Sequence, residues 1–412
     1  MLEDHLKSSI TRQRLLAGPL SPFLDLYADG LHAQGYSPLS ITSSLRSLAC
    51  WTDWMREHGF TTDTLVGGLE AYKKALQRTG RLRLASGKLV RSVIAARVCL
   101  RFLHERGVVL RPTRPTPLER WPLLREYCAW MAQHGGLTAS SIEVYRRVIV
   151  DLIGVLGEDP VAYTTETLRA FLHRRAQPHG MATAKSTVCA MRSFLRYLAA
   201  TGRCAADMQH GIPSFACWRL ASAPRFLVQE DVERVIAACS EVDTMGIRDR
   251  AVVLLLARLG LRAGDVAGLK LGDIEWHRGR IGVSGKHRRK DWLPLPQEVG
   301  DAVLAYLERV RPSLAFTEVF LTVPPPVRPL TRAAVTGIVR GALRRAGVVA
   351  PINGAHVLRH SAATTMLRNG VSLSSVGTVL RHRSTSTTAH YAKVDFGLLS
   401  EIAQPWPGGT SC

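Results

Sequence analysis

No long charge-free apolar run occurs in the 412-residue sequence, and no basic amphipathic anchor, so neither a membrane span nor a membrane-surface helix is expected. The opening residues, MLEDHLKSSITRQRLL, lack the charged-then-apolar layout of a signal peptide. The eight Cys are scattered with no C-x-x-C pair and read as reduced, mostly buried thiols in a cytoplasmic protein. There is no G-x-x-x-x-G-K-[ST] loop to cradle a nucleotide, and no H-E-x-x-H zinc pair. Acidic residues are scarce: 33 Asp and Glu stand against 54 Lys and Arg, a net charge of +21 and a pI near 10.3. Such a balance speaks of partners rather than fold. Nucleic acid comes first, because each phosphate neutralised by Lys or Arg releases counterions.

What is present divides the chain. RPTRPTP, from Arg111 to Pro117, reads as a stiff linker, and a second break runs from Gly211 to Pro224. The expected domains are 1–110, 118–215 and 222–400, followed by a weakly structured tail, 401–412. The first two segments are alike. Phe23–Tyr27 precedes a Gly-x-Ser turn at Gly35–Ser37 and a helical run through Leu45, Leu48, Trp51, Trp54 and Met55. Leu123–Tyr127 precedes Gly136–Thr138 and a run through Ile142, Tyr145, Ile149 and Leu152. Each segment closes on a related string, LRFL before Gly107 and LRYL before Gly202. This pattern predicts a diverged duplication of an all-helical unit.

The third segment is mixed. Gln229–Cys239 and Ile247–Leu259 are helix-patterned, with Gly260 as a C-terminal cap. A strand-rich stretch follows: Asp273–Trp276, then Arg280–Val283 and Asp291–Leu295 around the basic loop Gly285–Lys290. Helices resume after Thr331 and run to about Ile402. The fold class is therefore mainly α with a small antiparallel β-sheet in the last domain.

Four features there carry chemistry. Arg262 follows the helix-ending Gly260, and Asp265, three residues on, is placed to hold its guanidinium. Lys286 opens the loop GKHRRK, with Lys290 as the alternative; a desolvated Lys there suits general-acid work. In His356-Val357-Leu358-Arg359-His360 a helix puts His356 and Arg359 on one face, a fork of donors and an imidazole for one phosphate. His360 reads as a supporting histidine that packs or hydrogen-bonds below the site. His356 and His360 also have zinc-pair spacing, but no third ligand is evident, and no metal is expected. Finally, His382 and Tyr391 are nine apart. On one straight helix they would point to opposite sides, so the Ser/Thr run between them should form a turn and a new N-cap.

Taken in order, Arg262, Lys286, His356-x-x-Arg359, His382 and Tyr391 resemble the tyrosine recombinase, or phage integrase, family. The strings are LARLGLRAGDVAGLKLGDI, RIGVSGKHRRKDWLPLP, HVLRHSAATTMLRNG and LRHRSTSTTAHYAKV, spanning Phe226 to Val394. Residues Pro117 to Phe215 are similar to that family's core-type DNA-binding domain. One departure is His287, where the family often has Gly. The resemblance implies helical N-terminal DNA-binding domains ahead of an α+β catalytic domain. It further implies that Tyr391 attacks a phosphate of double-stranded DNA to give a 3′-phosphotyrosyl link, which a second 5′ hydroxyl resolves. Arg262, Arg359 and His382 would hold the phosphate, His356 would be the base and Lys286 the acid. Neither ATP, cofactor nor metal is implied. A tetramer on paired DNA sites is, with other recombinases of the same element as possible partners.

The doubled N-terminal region exceeds what a minimal chromosome-dimer resolvase needs, which points to the integrase or transposase of a mobile element. The alternatives are a Xer-like chromosome or plasmid resolvase, a type IB topoisomerase and a non-catalytic DNA-binding protein. A metal-dependent transposase would need three inward carboxylates, and no such set competes with the motif series.

Overall fold

A computed structural model describes residues 2–84, 86–87, 89–109, 115–178, 180–215, 224–284, 290–382 and 384–394. The chain divides into two compact units, residues 1–110 together with 219–412, and residues 111–218. Within them lie three separate main hydrophobic cores.

The first core is helical: α1 (Leu2–His5), α2 (Ser9–Leu16), α3 (Leu24–Ala33), α4 (Pro38–Glu57), α5 (Leu65–Arg78) and α6 (Arg91–Glu105). Helix α4 starts where the sequence says it should. Ser37 caps it by accepting from the Ser40 N–H, and Pro38 fills the first helical position, whose N–H needs no partner. The periodic residues Leu45, Leu48, Trp51 and Met55 are fully buried, while Trp54 lies at the core's edge. Tyr27 meets Phe102 edge-on, with ring centroids 5.6 Å apart.

The second core repeats the scheme with α7 (Pro117–Arg120), α8 (Pro122–His134), α9 (Ala139–Leu156), α10 (Thr165–Ala176) and α11 (Met181–Ala200). Thr138 caps α9 as Ser37 caps α4. Ile149 and Leu152 are buried; Ile142 and Tyr145 are half-buried. Tyr127 packs against Tyr197 at the same 5.6 Å separation.

The third core is built on α12 (Gln229–Ala237) and α13 (Thr244–Leu259), then α14 (Ala263–Ala267). Three short strands follow, β1 (Ile274–Glu275), β2 (Arg280–Ser284) and β3 (Lys290–Pro294), in one antiparallel sheet of order β1-β2-β3. Ile281 pairs with both Ile274 and Leu293, which fixes the apolar face against the core. Next come α15 (Gln297–Arg309), α16 (Arg332–Arg345), α17 (Ala355–Arg368), α18 (Leu373–Val379) and α19 (Thr385–Thr388).

Helix α13 is buried nearly all round, including Arg248 and Asp249, whose side chains pair at 2.6 Å inside the core. It ends at Gly260, in the left-handed conformation that glycine adopts freely. Helix α15 was not expected. Its signal, Val299, Val303 and Tyr306 at helical spacing, follows directly on the strand Lys290–Pro294 and is read past by a strand pattern. The expected first and third domains form one compact unit, and they meet where the Val327 N–H donates to the Gln34 carbonyl at 2.9 Å. Among the described residues no helix is long and apolar enough to cross a membrane.

Candidate active site

Three pieces of backbone bring the site together. The left-handed Gly260 turns the chain out of α13 and makes Arg262 the N-cap of α14. Helix α17 carries His356, Arg359 and His360. The turn after α18 presents His382, and a 3-10 turn at Ala389–Val394 presents Tyr391. The expected break between His382 and Tyr391 is there: α19 and that turn lie between them, and the two rings lie parallel with centroids 6.2 Å apart.

Arg262, His356, Arg359, His360, His382 and Tyr391 line one open cleft of about 640 Å³, with Ser384, Thr387 and His390. Arg359 is buried at 4% exposure, and its guanidinium is fixed by two main-chain carbonyls, Gly260 and, at 2.5 Å, Leu380. Burial, with the nearby Arg262 charge, lowers its pKa to about 10, so it stays cationic at neutral pH. Arg262 is the more exposed cation; its Nη2 donates to the Arg381 carbonyl at 3.2 Å.

Tyr391 is 3% exposed, and its ring completes a small apolar cluster of Ala363, Leu367, Val376 and Leu380. Its hydroxyl lies 2.6 Å from His360 Nδ1. Burial raises the phenol's pKa and Arg359 opposes that rise. Burial first, then neighbouring cations and imidazoles, lowers the pKa of His360 and of His382 to about 4. His356 and His390 are lowered too, chiefly by burial. At neutral pH the histidines around Tyr391 are therefore neutral. His360 can accept the tyrosine proton, and His382, with Nδ1 2.9 Å from Thr388 Oγ1, keeps its other nitrogen for the cleft.

Several expected residues sit differently. Asp265 holds the Arg262 main-chain N–H at 2.9 Å, but its carboxylate is paired with Arg381; the Arg262 guanidinium is 4.0 Å away. It is His360, not His356, that meets the Tyr391 hydroxyl; His356 stacks on His360 with ring centroids 5.8 Å apart. Lys286 and the loop 285–289 lie outside the described residues. Lys290, the alternative, is turned onto the sheet, 2.5 Å from Asp273 and over the Trp292 ring. His390, Arg381 and Thr388 were missed. Only their closeness in sequence to His382 and Tyr391 could have flagged them.

Among the described residues no three His, Cys, Asp or Glu side chains are grouped to hold a metal ion. The cleft is thus a cationic wall beside a buried phenol and neutral imidazoles, an arrangement suited to holding an anionic ester while an oxygen nucleophile is deprotonated.

Residues 225–397 match the model of the phage integrase family. The putative integrase/recombinase y4rA of Sinorhizobium fredii (strain NBRC 101917 / NGR234) is 34% identical over 402 residues, covering 95% of each chain. The tyrosine recombinase XerD of Listeria monocytogenes (strain ATCC BAA-679 / EGD-e) is 29% identical over 283 residues, 66% of this chain and 94% of its own. Among solved structures, a lambda integrase dimer bound to a COC′ core site aligns with a TM-score of 0.53 at 18% identity, over 76% of this chain and 92% of that one. The Tn1549 transposon integrase with a circular intermediate DNA aligns at 0.53 and 12% identity, over 68% and 99%.

Proposed function

The chain belongs to the phage integrase family, whose tyrosine recombinases cleave and rejoin DNA, and on that premise we propose that Tyr391 is the nucleophile of a site-specific recombinase. The Tyr391 oxygen attacks a backbone phosphate; the bond from phosphorus to the 5′ oxygen breaks, and a 3′-phosphotyrosyl link forms. The phenolic proton passes to His360, the acceptor already at the hydroxyl. Arg262 and Arg359 hold the non-bridging oxygens, where charge gathers in phosphoryl transfer. His356 and His382 donate to the same phosphate. The leaving 5′ oxygen takes its proton from Lys286. A second 5′ hydroxyl then attacks the link and releases Tyr391, so the phosphoester is conserved and the two transfers balance without ATP or metal.

The observation that carries this reading is the Tyr391 hydroxyl 2.6 Å from a neutral imidazole, in a cleft walled by two arginines. The partner is double-stranded DNA, and two helical DNA-binding domains, 1–110 and 118–215, precede a catalytic domain, 222–400. The first is a diverged copy of the second. Assembly is a tetramer on paired sites. The biological role we favour is the integrase of a mobile element. The y4rA match supports it by covering nearly the whole chain, whereas the XerD match leaves a third of it unaccompanied. A Xer-like resolvase is the second reading, on the strength of that XerD match.

A duplex nicked near the scissile phosphate, so that the cut fragment diffuses away, should trap a covalent complex that survives denaturant. Digestion should yield a phosphotyrosyl peptide containing Tyr391. Tyr391→Phe should abolish trapping while DNA affinity persists, and Arg359→Ala should slow it by about 10²–10³-fold. An adduct formed by Tyr391→Phe would assign the nucleophile elsewhere.

A further inference from the structure

Arg381 has the only positive φ, 53°, of any non-glycine described residue, in a backbone region that a side chain with a Cβ disfavours. Something must hold it there. Its side chain is only 8% exposed, and its Nη2 is paired with Asp265 Oδ2. Its Nε and Nη1 find no acceptor among the described residues, so that one carboxylate answers the whole buried charge. The pairing is reciprocal. Asp265 Oδ2 also accepts the Arg262 main-chain N–H at 2.9 Å, and the Arg381 carbonyl accepts from Arg262 Nη2 at 3.2 Å. The preceding carbonyl, Leu380, accepts from Arg359 at 2.5 Å, and the following residue is His382. One turn therefore touches both cationic arms of the cleft and carries one of its histidines.

Asp265 is a competitor as well as a support. Its carboxylate lies 4.0 Å from Arg262 Nη1, at the edge of ion-pair distance, while the guanidinium opens onto the cleft. An unpaired carboxylate there would draw Arg262 inwards, because a buried charge left without a partner is costly and a guanidinium is the nearest remedy.

We propose that Arg381 is a positioning residue that occupies the Asp265 carboxylate and so keeps the Arg262 guanidinium turned towards the DNA phosphate. This rests on the recombinase reading of the cleft. The residue is not among those lining the cleft; it acts through Asp265 and Arg262. Removing Arg381 alone should therefore impair cleavage, and removing the competing charge with it should bring cleavage back.

The test uses the full chain, a nicked duplex built from the DNA that flanks its gene, and two readouts. These are the single-turnover rate of covalent trapping at saturating enzyme, and the affinity for the intact duplex by anisotropy. Arg381→Gly accepts the left-handed backbone but frees Asp265. It should lower the trapping rate about ten-fold or more while affinity stays within about two-fold. Adding Asp265→Asn keeps an oxygen for the Arg262 N–H but removes the charge; the double variant should recover to within about three-fold of wild type. A rescue of this kind is not expected if Arg381 merely shapes the turn. Wild-type trapping by Arg381→Gly, or no recovery in the double variant, overturns the proposal. If Arg381→Gly gives no cooperative melt, Arg381→Asn takes its place, since Asn also accepts left-handed backbone without a charge, and the same two outcomes decide. Absence of trapping by wild type is a separate result, which sinks the recombinase reading instead.

Discussion

Helices α6 and α11 occupy the same place in the first two cores, and their arginines serve different ends. When LRFL is laid over LRYL, Arg97 falls on Arg192 and Arg101 on Arg196. Arg192 is a staple. Its Nη2 donates to the Ile212 carbonyl at 2.7 Å and the Ser214 hydroxyl at 2.9 Å, tying down the segment that leaves the core. Arg97 faces solvent and makes no hydrogen bond or ion pair among the described residues. It lies in an exposed stripe of Arg91, Ile94, Arg97 and Arg101, whose spacing puts them on one helix face. Over residues 71–106 there are ten Lys and Arg against a single acidic residue, Glu105. The two cores thus share a ring pair and arginines at matching helix positions. In the second core Arg192 ties down the segment that leaves it; in the first, Arg97 at the matching position stays in solvent.

The largest effects should come from the ring pair itself. Tyr27→Ala and Tyr127→Ala each empty a fully buried site and should cost about 3–5 kcal/mol. If the copies are separate folding units, hydrogen exchange will show each loss confined to its own helices; a loss spread over both would break the comparison. Next, Arg192→Ala should cost about 1–3 kcal/mol through its missing hydrogen bonds, whereas Arg97→Ala should stay within about 0.5 kcal/mol in chemical denaturation. Equal costs would mean that Arg97 is also structural. Smaller still, the triple variant Arg91→Ala, Arg97→Ala and Arg101→Ala should flatten the log–log salt dependence of DNA binding by about 0.9 for each phosphate no longer neutralised. An unchanged slope would assign that stripe to a protein partner.

Acid should act on the third core through two of its histidines. His360 and His382 have folded pKa values near 4, below the ordinary 6.5. Over that window the unfolded chain binds more protons than the folded one, so their contribution to stability is complete above about pH 6.5 and declines as pH falls towards 4. The melting transition that carries Tyr391 should move down over this range. His382→Asn should make the decline shallower, and an unchanged decline would assign it to other groups.

Much of this was legible in the sequence, and the reasons differ by feature. The caps, glycine turns and buried periodicities common to the first two segments were readable because they are local: Ser37, Thr138, Gly107 and Gly202 sit where propensity puts them. Arg262, His356, Arg359, His382 and Tyr391 could be singled out because their order along the chain resembles that of the family's motifs. Two things were not legible. Helix α15 was masked by the alternation of the strand before it, since Trp292, Leu293 and Leu295 run straight into its first turn. The partner of Asp265 was missed because a carboxylate three residues from one arginine looks local, while its true partner, Arg381, is 116 residues away. The meeting of His360 with Tyr391, 31 residues apart, is likewise a product of tertiary packing, not of spacing along α17.

One consequence follows from where the Tyr391 ring is lodged. Its cluster holds four other buried side chains, Ala363, Leu367, Val376 and Leu380, and four partly buried ones, Phe226, Met366, Val371 and Leu373, whereas α13 is sunk in a much larger cluster. So thin an apolar patch gives the segment Thr385–Val394 little resistance to local opening, and it should come loose in sub-global fluctuations long before α13 does. Amide exchange in that segment should accordingly outpace exchange in α13 by orders of magnitude. The Tyr391 hydroxyl should then be uncovered by local opening of Thr385–Val394 rather than by unfolding, at a frequency set by the shallow apolar cluster around its ring.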